Sequence, residues 1–501
     1  MPQRLTAKEL CRSRVYDAVV VGSGPNGLAC AISMAQQGDS VLLVEAQPIA
    51  GGGCRTMELT LPGFKHDVCS AVYPLGAGSP FFRTLPLQDF GLRWINPDGA
   101  YVHALEPGKG LLIERNLEAT AVNLGRGGGP FCELMSSLRP NWQELCDVLL
   151  EPPRLLAHAL PMAKFAKYAI LSARGFANQY LKTVESKAAF SGVAAHCASS
   201  LDEPASAAIG LSLSIAAHAV GWPIPEGGAQ SITDALVQYF ESLGGEVIVE
   251  CPVRSLSDLP DCRFLFLDIT PRQFLQMAGD RLSDGEKRRL QQFKYGPACF
   301  KVDWAVDAPI PWLSPEFLRA PTVHLAGTFE EIARAEGLVS EGHEAAAPYV
   351  LLAQPTVFDA SRSPAGTHIV WAYCHVPLGS DVNMTDHIES RIERFAPGFR
   401  KTILARCESG PSRLEHLDAN HVGGDINGGT LAWPQLLLRP SLRLIPYKTA
   451  LPNVFMCSSS TPPGSGVHGM CGYYAAWFAR RIGSRHRMAI SNSAVLNGSA
   501  V

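Results

Sequence analysis

Residues Tyr16 to Thr56 read YDAVVVGSGPNGLACAISMAQQGDSVLLVEAQPIAGGGCRT, and this stretch decides the fold. The apolar run Asp17 to Val21 has the length and valine content of a buried parallel strand. Gly22, Gly24 and Gly27 follow at once in a G-x-G-x-x-G pattern, with Ser23, Pro25 and Asn26 between them. Leu28, Ala31, Ile32 and Ala35 then recur at helical spacing, and Gly38 ends the helix. A second strand, Val41 to Val44, ends in Glu45. Gly22 permits a tight turn, Gly24 admits a pyrophosphate against the backbone, and Gly27 lets helix and strand pack closely. Glu45 lies 18 residues past Gly27, placed to accept from a ribose 2′-hydroxyl. A carboxylate there repels a 2′-phosphate, so the pattern predicts a dinucleotide other than NADP.

Next in the chain, Gly51-Gly52-Gly53-Cys54-Arg55-Thr56 forms a second glycine turn just after the ribose acid, and Arg55 suits a paired anion. The segment Leu61 to Leu75 brings His66, Asp67 and Ser70 close together without a nucleophile elbow or metal-ligand spacing, and reads as a loop near the cofactor. The chain has 501 residues, enough for two or three domains or for one domain with large insertions. A net charge of −3 gives no footprint for nucleic acid. Charged residues make up 18%, below the usual level of about 25%. That low share fits a large core, with an apolar cavity or a membrane-touching surface as the sharper alternative.

There are 14 cysteines, and no two are spaced C-x-x-C, which argues against a zinc ribbon and against a dithiol redox motif. Free thiols and the lack of an apolar leader point to a reducing compartment. The expected site is the cytoplasm, with membrane association as an open alternative, or the mitochondrial matrix if the source is eukaryotic. Pro204 to Pro225 carries no formal charge but is rich in Ala, Ser and Gly, so it reads as a buried helix rather than a membrane span.

Further stretches carry a resemblance. YDAVVVGSGPNGLACA with VLLVEA and GGGCRT resembles the N-terminal signature of FAD-dependent oxidoreductases of the glutathione-reductase and amine-oxidase type. GFKHDVCSAVYPLGAGSPFF, AAHAVGWPIPEGGAQSITDAL, GPACFKVDWAV and CSSSTPPGSGVHGMCGYYAA resemble the carotenoid and retinoid oxidoreductase family. That family includes phytoene desaturases, retinol saturases and carotenoid isomerases. Within it, the subgroup named for a pyridine nucleotide-disulfide oxidoreductase domain is the most similar. The resemblance spans about Tyr16 to Arg480 and implies FAD as cofactor and an apolar, isoprenoid or retinoid-like substrate.

The implied fold is α/β: a Rossmann-like FAD domain with an inserted substrate domain of antiparallel sheet and helices. Residues 16–120, 226–297 and 445–480 are expected to form the FAD domain, 121–225 and 298–444 the substrate domain, and 481–501 a disordered tail. Ala121 to Pro130, AVNLGRGGGP, reads as a flexible turn. From Phe131 to Leu181 the pattern is helical. Arg154 to Tyr168 is either a membrane-surface helix or an amphipathic helix with a solvated basic face. His196 and His218, among small residues, are satisfied core groups or cavity walls. Phe300 to Val306, Tyr349 to Leu352 and His368 to His375 alternate as half-buried strands.

The resemblance places a backbone contact to adenine at Val253 and the isoalloxazine beside the turn Gly464 to Met470. The turn's cofactor contacts are expected from Gly464, Gly466, Val467, His468, Gly469 and Met470. Ala46, Gly52, Gly53 and Thr56 are expected to contribute beside Glu45 and Arg55. His468 stands where phytoene desaturases tend to carry proline, so His468, His66 and Asp67 are the acid/base candidates. Gly423 to Gly429 does not follow a buried strand and is rejected as a second nucleotide site, so NAD(P)H binding has no motif. Hydride transfer between a substrate carbon and flavin N5 is the expected chemistry. Amine oxidation and a flavin-binding regulatory role stay open, as do monomer or homodimer and peripheral membrane contact.

Overall fold

The computed structural model describes residues 6–11, 14–151 and 159–497. Short runs rich in Val, Leu and Phe pair in parallel into a five-stranded sheet. Its spatial order is Val454–Met456, Cys262–Leu267, Tyr16–Val21, Val41–Val44 and Glu246–Ile248. Val20 faces Leu43 on one side and Phe266 on the other. Strands buried on both faces need no alternation, which is why these runs read as continuously apolar. Their carboxyl ends bring Gly22, Glu45, Asp268 and Cys457 to one edge. There Gly22 N–H donates to Val44 O at 2.8 Å and Asp268 N–H to Val21 O at 2.8 Å.

The helix Pro25–Ala35 is buried from Gly27 onward and packs against the last helix, Met470–Asn497. A Cβ at Gly472 would sit 1.8 Å from Asn26 O, so only glycine allows this crossing. That last helix continues past Arg480 through Asn497, where a disordered tail was expected. Gly483 is the sole glycine of residues 481–497 and no proline interrupts them, so nothing in the local sequence stops the helix. Residues 498–501 of the expected tail lie outside the described residues.

The second sheet has seven strands, in the order Ile403–Ser409, Ala298–Val306, His368–Val376, Val350–Ala353, Thr322–Leu325, Gly99–Glu106 and Lys109–Glu114. All neighbours are antiparallel except Thr322–Leu325 with Gly99–Glu106, which run parallel. Gly99–Glu114 therefore belongs to the substrate-domain sheet, although the sequence boundaries assign it to the FAD domain. Alternation sorts the two faces. Val370, Ala372, Cys374 and Val376 pack with Ile388, Ile392 and Phe395 of the helix Thr385–Phe395. Trp371, Tyr373 and His375 point the other way.

Ala121 to Pro130 is helical, not a flexible turn. The helices Leu117–Asn123 and Gly128–Leu138 flank a short 3₁₀ turn. Asn116 caps the first through its side chain, which accepts from Ala119 N–H at 2.8 Å. A Cβ at Gly128 would lie 2.1 Å from Ala121 O, so this glycine serves close packing. Pro204 to Pro225 holds the buried helix Ala207–Ala219, and no described helix is long and apolar enough to cross a membrane. Of the segment Arg154 to Tyr168, residues 154–158 lie outside the described residues, and the remainder falls in the helix Ala159–Ala169.

The hairpin Thr56–Glu58 and Lys65–Asp67 fastens the two sheets together through buried charge. Lys301 Nζ is 2.5 Å from Asp303 Oδ1, and His66 Nδ1 is 3.4 Å from the same oxygen. Arg362 Nη2 is 2.9 Å from Asp67 Oδ2 and also donates to Lys65 O at 3.0 Å. Asp67 Oδ1 accepts from Thr56 Oγ1 at 3.0 Å and from Ala229 N–H at 2.8 Å. Asp67 and Arg362 side chains are each 1% exposed, so removing one charge strands the other. Arg362→Met should destabilise the protein by about 3–5 kcal/mol, read from chemical denaturation midpoints.

Candidate active site: a cleft beginning at the glycine turn

The carboxyl edge of the parallel sheet opens into a cleft of about 730 Å³. That is within the roughly 300–1,000 Å³ of small-molecule sites. The βα turn forms one end. With a Cβ, Gly24 would meet Asp268 Oδ2 at 2.7 Å, and Gly27 would meet Gly22 O at 2.0 Å, so both positions require glycine. Gly22, Ser23, Gly24, Pro25 and Asn26 border the cleft, as do Glu45, Ala46, Gly52, Gly53, Arg55 and Val253. From the distant last turn, Gly466 and Val467 join them, Val467 through a left-handed backbone at φ 52°. Segments more than 400 residues apart thus meet on one cavity.

Glu45 accepts from Ser23 N–H (2.9 Å), Ser23 Oγ (2.5 Å) and Gln47 N–H (2.8 Å). This leaves one of a carboxylate's roughly four acceptor positions for a ribose hydroxyl. Arg55 donates to Gly52 O at 2.6 Å and to Leu417 O at 2.5 Å, which pins the guanidinium at the cleft wall. Asn26 Oδ1 and His421 Nδ1 are buried, border the cleft and have no partner. Bare backbone at the glycines, two unpartnered polar atoms and an anchored Arg fit the ADP half of a dinucleotide.

Several expected residues stand elsewhere. Gly27 does not border the cleft: its N–H donates to Asp268 Oδ2 at 2.9 Å. Thr56 is taken up by Asp67 and by the N–H of Gln230. Gly464, His468, Gly469 and Met470 lie behind the last turn, outside the cleft wall. The ring of His468 folds under that turn, where its Nδ1 accepts from Met470 N–H at 3.0 Å and burial lowers it to about 4. Of the other two acid/base candidates, His66 is bound between Thr60 and Asp303 and Asp67 between Thr56, Ala229 and Arg362. Neither borders the cleft. Both are partners in the buried charge cluster, which sequence adjacency alone does not reveal.

Other residues take the places left open. Asp268 ends the strand Cys262–Leu267 and faces the glycine turn; an acid at the carboxyl end of a parallel strand beside a switch point is the available sequence signal. Burial pushes its carboxyl up to about 8, opposed by the Gly27 N–H and reinforced by Asp418 and Glu45. His421 also borders the cleft. Burial works to lower it, but Asp418 and Cys69 outweigh this and hold the imidazole up at about 9. Ile426, Asn427 and Gly428 from the glycine-rich segment 423–429 line the same cavity, and Ser465 Oγ donates to Asn427 Oδ1 at 2.9 Å. The far end is walled by Ile209, Leu213, Trp222, Tyr373, His196 and His375. His218 lies outside it, with Nδ1 3.4 Å from Arg115 O.

Comparison with known proteins agrees with this geometry. Residues 20–85 match the family model of the NAD(P)-binding Rossmann-like domain. A Mus musculus pyridine nucleotide-disulfide oxidoreductase domain-containing protein 2 is 24% identical, covering 92% of this chain and 92% of its own. The inactive all-trans-retinol 13,14-reductase of Danio rerio is 27% identical over 47% of this chain and 41% of its own. These similarities are consistent with a carotenoid- and retinoid-type FAD oxidoreductase. Among solved structures, a triple mutant of putrescine oxidase shares the fold, with TM-score 0.61 at 15% identity over 94% of this chain and 99% of that one. All 14 cysteines here are free thiols.

Asp268 predicts a pH-dependent cofactor affinity. Its folded-state value stands above the ordinary 3.8, so the fold favours the neutral acid. The stability it lends is full at acid pH and is lost as pH rises through about 8. The carboxylate formed above that point faces the anion cradle. FAD binding to the apoprotein, followed by fluorescence titration, should weaken between pH 7 and 9 in the wild type. Asp268→Asn, which keeps an acceptor for the Gly27 N–H, should bind FAD equally at both.

Proposed function

We propose that the protein is an FAD-dependent oxidoreductase that moves hydride between a carbon of an apolar, isoprenoid- or retinoid-like substrate and flavin N5. The observation that carries this reading is the continuity of the cleft. It starts at the glycine turn, Glu45 and Arg55, passes the turn Ser465–Val467, and ends among Ile209, Leu213, Trp222 and Tyr373. The flavin supplies the two-electron chemistry, and the chain supplies binding, orientation and exclusion of water. Glu45 and Arg55 would hold the ribose and diphosphate. Val253 would meet the adenine through its backbone. Gly466 and Val467 would flank the ring.

The charge distribution favours an apolar substrate. The cleft's carboxylates, Glu45, Asp268 and Asp418, all stand at its cofactor end. Among the described residues no carboxylate borders the apolar end, so nothing there would pair with an ammonium group. The fold shared with putrescine oxidase keeps amine oxidation as a second reading, with Trp222 and Tyr373 as its aromatic walls. Tyr473 and Tyr474 do not serve it: neither borders the cleft, and Tyr473 packs on Phe81 with ring centroids 5.1 Å apart.

The purified protein should carry a yellow flavin spectrum. After anaerobic mixing, all-trans-retinol or phytoene should bleach it, or should reoxidise the photoreduced form, whereas putrescine and benzylamine should leave it unchanged. Fast bleaching by an amine would replace the polyene reading with amine oxidation. Failure of every compound, oxygen and quinones included, to exchange electrons with the flavin would leave a binding protein. Absence of bound FAD would sink the proposal.

Delivery of an apolar substrate supports peripheral membrane contact. The segment from Leu431, which borders the cleft, to Leu444 exposes Trp433, Leu437, Leu438, Leu442 and Leu444, the last at 83%. An exposed apolar run at a cleft mouth fits a lipid surface. Sedimentation with phosphatidylcholine vesicles should retain the wild type, and the double substitution Leu442→Asp, Leu444→Asp should release it by about tenfold.

A further inference from the structure

The helix Phe329–Ser340 buries Phe329, Ile332, Ala333, Glu336 and Val339 on one stripe. Four of these are apolar, as an amphipathic helix requires. The fourth member, Glu336, is not, and its side chain is only 2% exposed. A carboxylate so placed needs a partner. Its partner is His375, whose Nδ1 lies 2.8 Å from Glu336 Oε2. His375 sits on the strand His368–Val376, on the face shared with Trp371 and Tyr373, and it borders the apolar end of the cleft. Its ring lies against those of Tyr349 and Tyr373, with centroids 6.0 and 5.5 Å apart. With Nδ1–H donated to the carboxylate, the tautomer is set and Nε2 is left as an acceptor. Among the described residues no protein group hydrogen-bonds that nitrogen.

We infer that His375 is the acid/base of the reaction, exchanging a proton with the substrate at Nε2, and that Glu336 is the residue that positions it. The inference rests on the flavin-dependent reading above. In desaturation, one substrate C–H bond breaks with its electron pair leaving as hydride to the flavin. The adjacent C–H bond breaks with its proton passing to Nε2, and the pair left behind becomes the second bond of the alkene. Saturation reverses the exchange, with the proton returning from Nε2. An external electron acceptor or donor then resets the flavin.

The other histidines near the cleft are committed elsewhere. His196 borders it, but its Nε2 lies 3.1 Å from His324 Nε2 and burial drives it down to about 3, with His375 adding to the effect. His421 stands at the cofactor end with Asp418 and is held protonated at neutral pH. The groups that face His375 are Glu336 from the helix, Tyr349, Tyr373 and the cross-strand Cys299 from the sheet, whose thiol burial keeps neutral, and His196 from the helical layer. Burial pushes Tyr349 and Tyr373 well above the ordinary tyrosine range and holds His196 neutral, which leaves the Glu336 carboxyl as the group bonded to the imidazole.

The test uses the full-length, flavin-loaded protein with all-trans-retinol and phytoene as probes. ¹⁵N-histidine NMR, assigned by the loss of one signal in His375→Gln, should show His375 as the Nδ1–H tautomer, and Glu336→Gln should abolish that preference. His375→Gln keeps an N–H donor for Glu336, so flavin content and melting temperature should hold. The anaerobic rate constant for flavin bleaching or recolouring by the reactive probe should then fall by about 10²-fold or more. Glu336→Gln should lower it less and shift its pH profile. Wild-type rates in His375→Gln, or an Nε2–H tautomer in the wild type, overturn the inference. A wild type that binds no flavin, or whose flavin neither probe changes, refutes the functional reading instead. The tautomer then decides the inference, because an Nε2–H imidazole offers the cleft no base.

Discussion

Everything at the cofactor end depends on how closely three backbone glycines and one carboxyl group approach each other. Asp268 enters the turn so tightly that its Oδ2 takes the N–H of Gly27 and leaves no room for a side chain on Gly24. The contact joins the first strand's turn to the end of the strand Cys262–Leu267, and so closes the centre of the parallel sheet. It also puts an acid where an anion is to bind. Burial answers this by keeping that acid neutral up to about pH 8, while Arg55 and the protonated His421 provide the positive charge. The turn is thus a balance between tight packing and electrostatics.

Away from the turn, the two sheets are held in relation by charge pairs in apolar surroundings. Asp67–Arg362 and Lys301–Asp303 lie where the hairpin after the second glycine turn meets the substrate sheet. Buried pairs of this kind add little net stability over an apolar core, but they tolerate few alternative arrangements. The sheet they adjoin carries Tyr373 and His375, which line the same cleft as Gly466 and Val467.

The strand, glycine turn, helix, strand and acid of residues 16–45 were legible because each rests on local periodicity and on one residue type at one spacing. The strands Glu246–Ile248 and Val454–Met456, which join the same sheet, were legible as short runs beside glycine or proline. The site residues were less so. His66 and Asp67 read as a polar cluster near a cofactor, and only their distant partners Asp303 and Arg362 show that they join sheets. His468 read as facing the ring, but the glycines around it turn it inward. Glycines at 125–129 suggested flexibility, yet at Gly128 the missing side chain serves helix packing. Glu336 and His375 are separated by 39 residues and lie on different elements, so no spacing announces them.

The crossing of the last helix over the first, at Gly472 against Asn26 O, bears on how the protein is made. The five-stranded sheet begins at Tyr16 and is completed only by the strand Val454–Met456, with the helix Met470–Asn497 following it. A ribosome adding about 5–20 residues per second leaves the first βα unit waiting tens of seconds for the strand and helix that cover it. During that interval its Val- and Leu-rich strands and the inner face of Pro25–Ala35 are open to water and to other chains. The seven-stranded sheet, complete at Ser409, precedes that last strand in the chain and is free to fold first. Assembly of the nucleotide end therefore waits for the strand Val454–Met456 and the helix behind it.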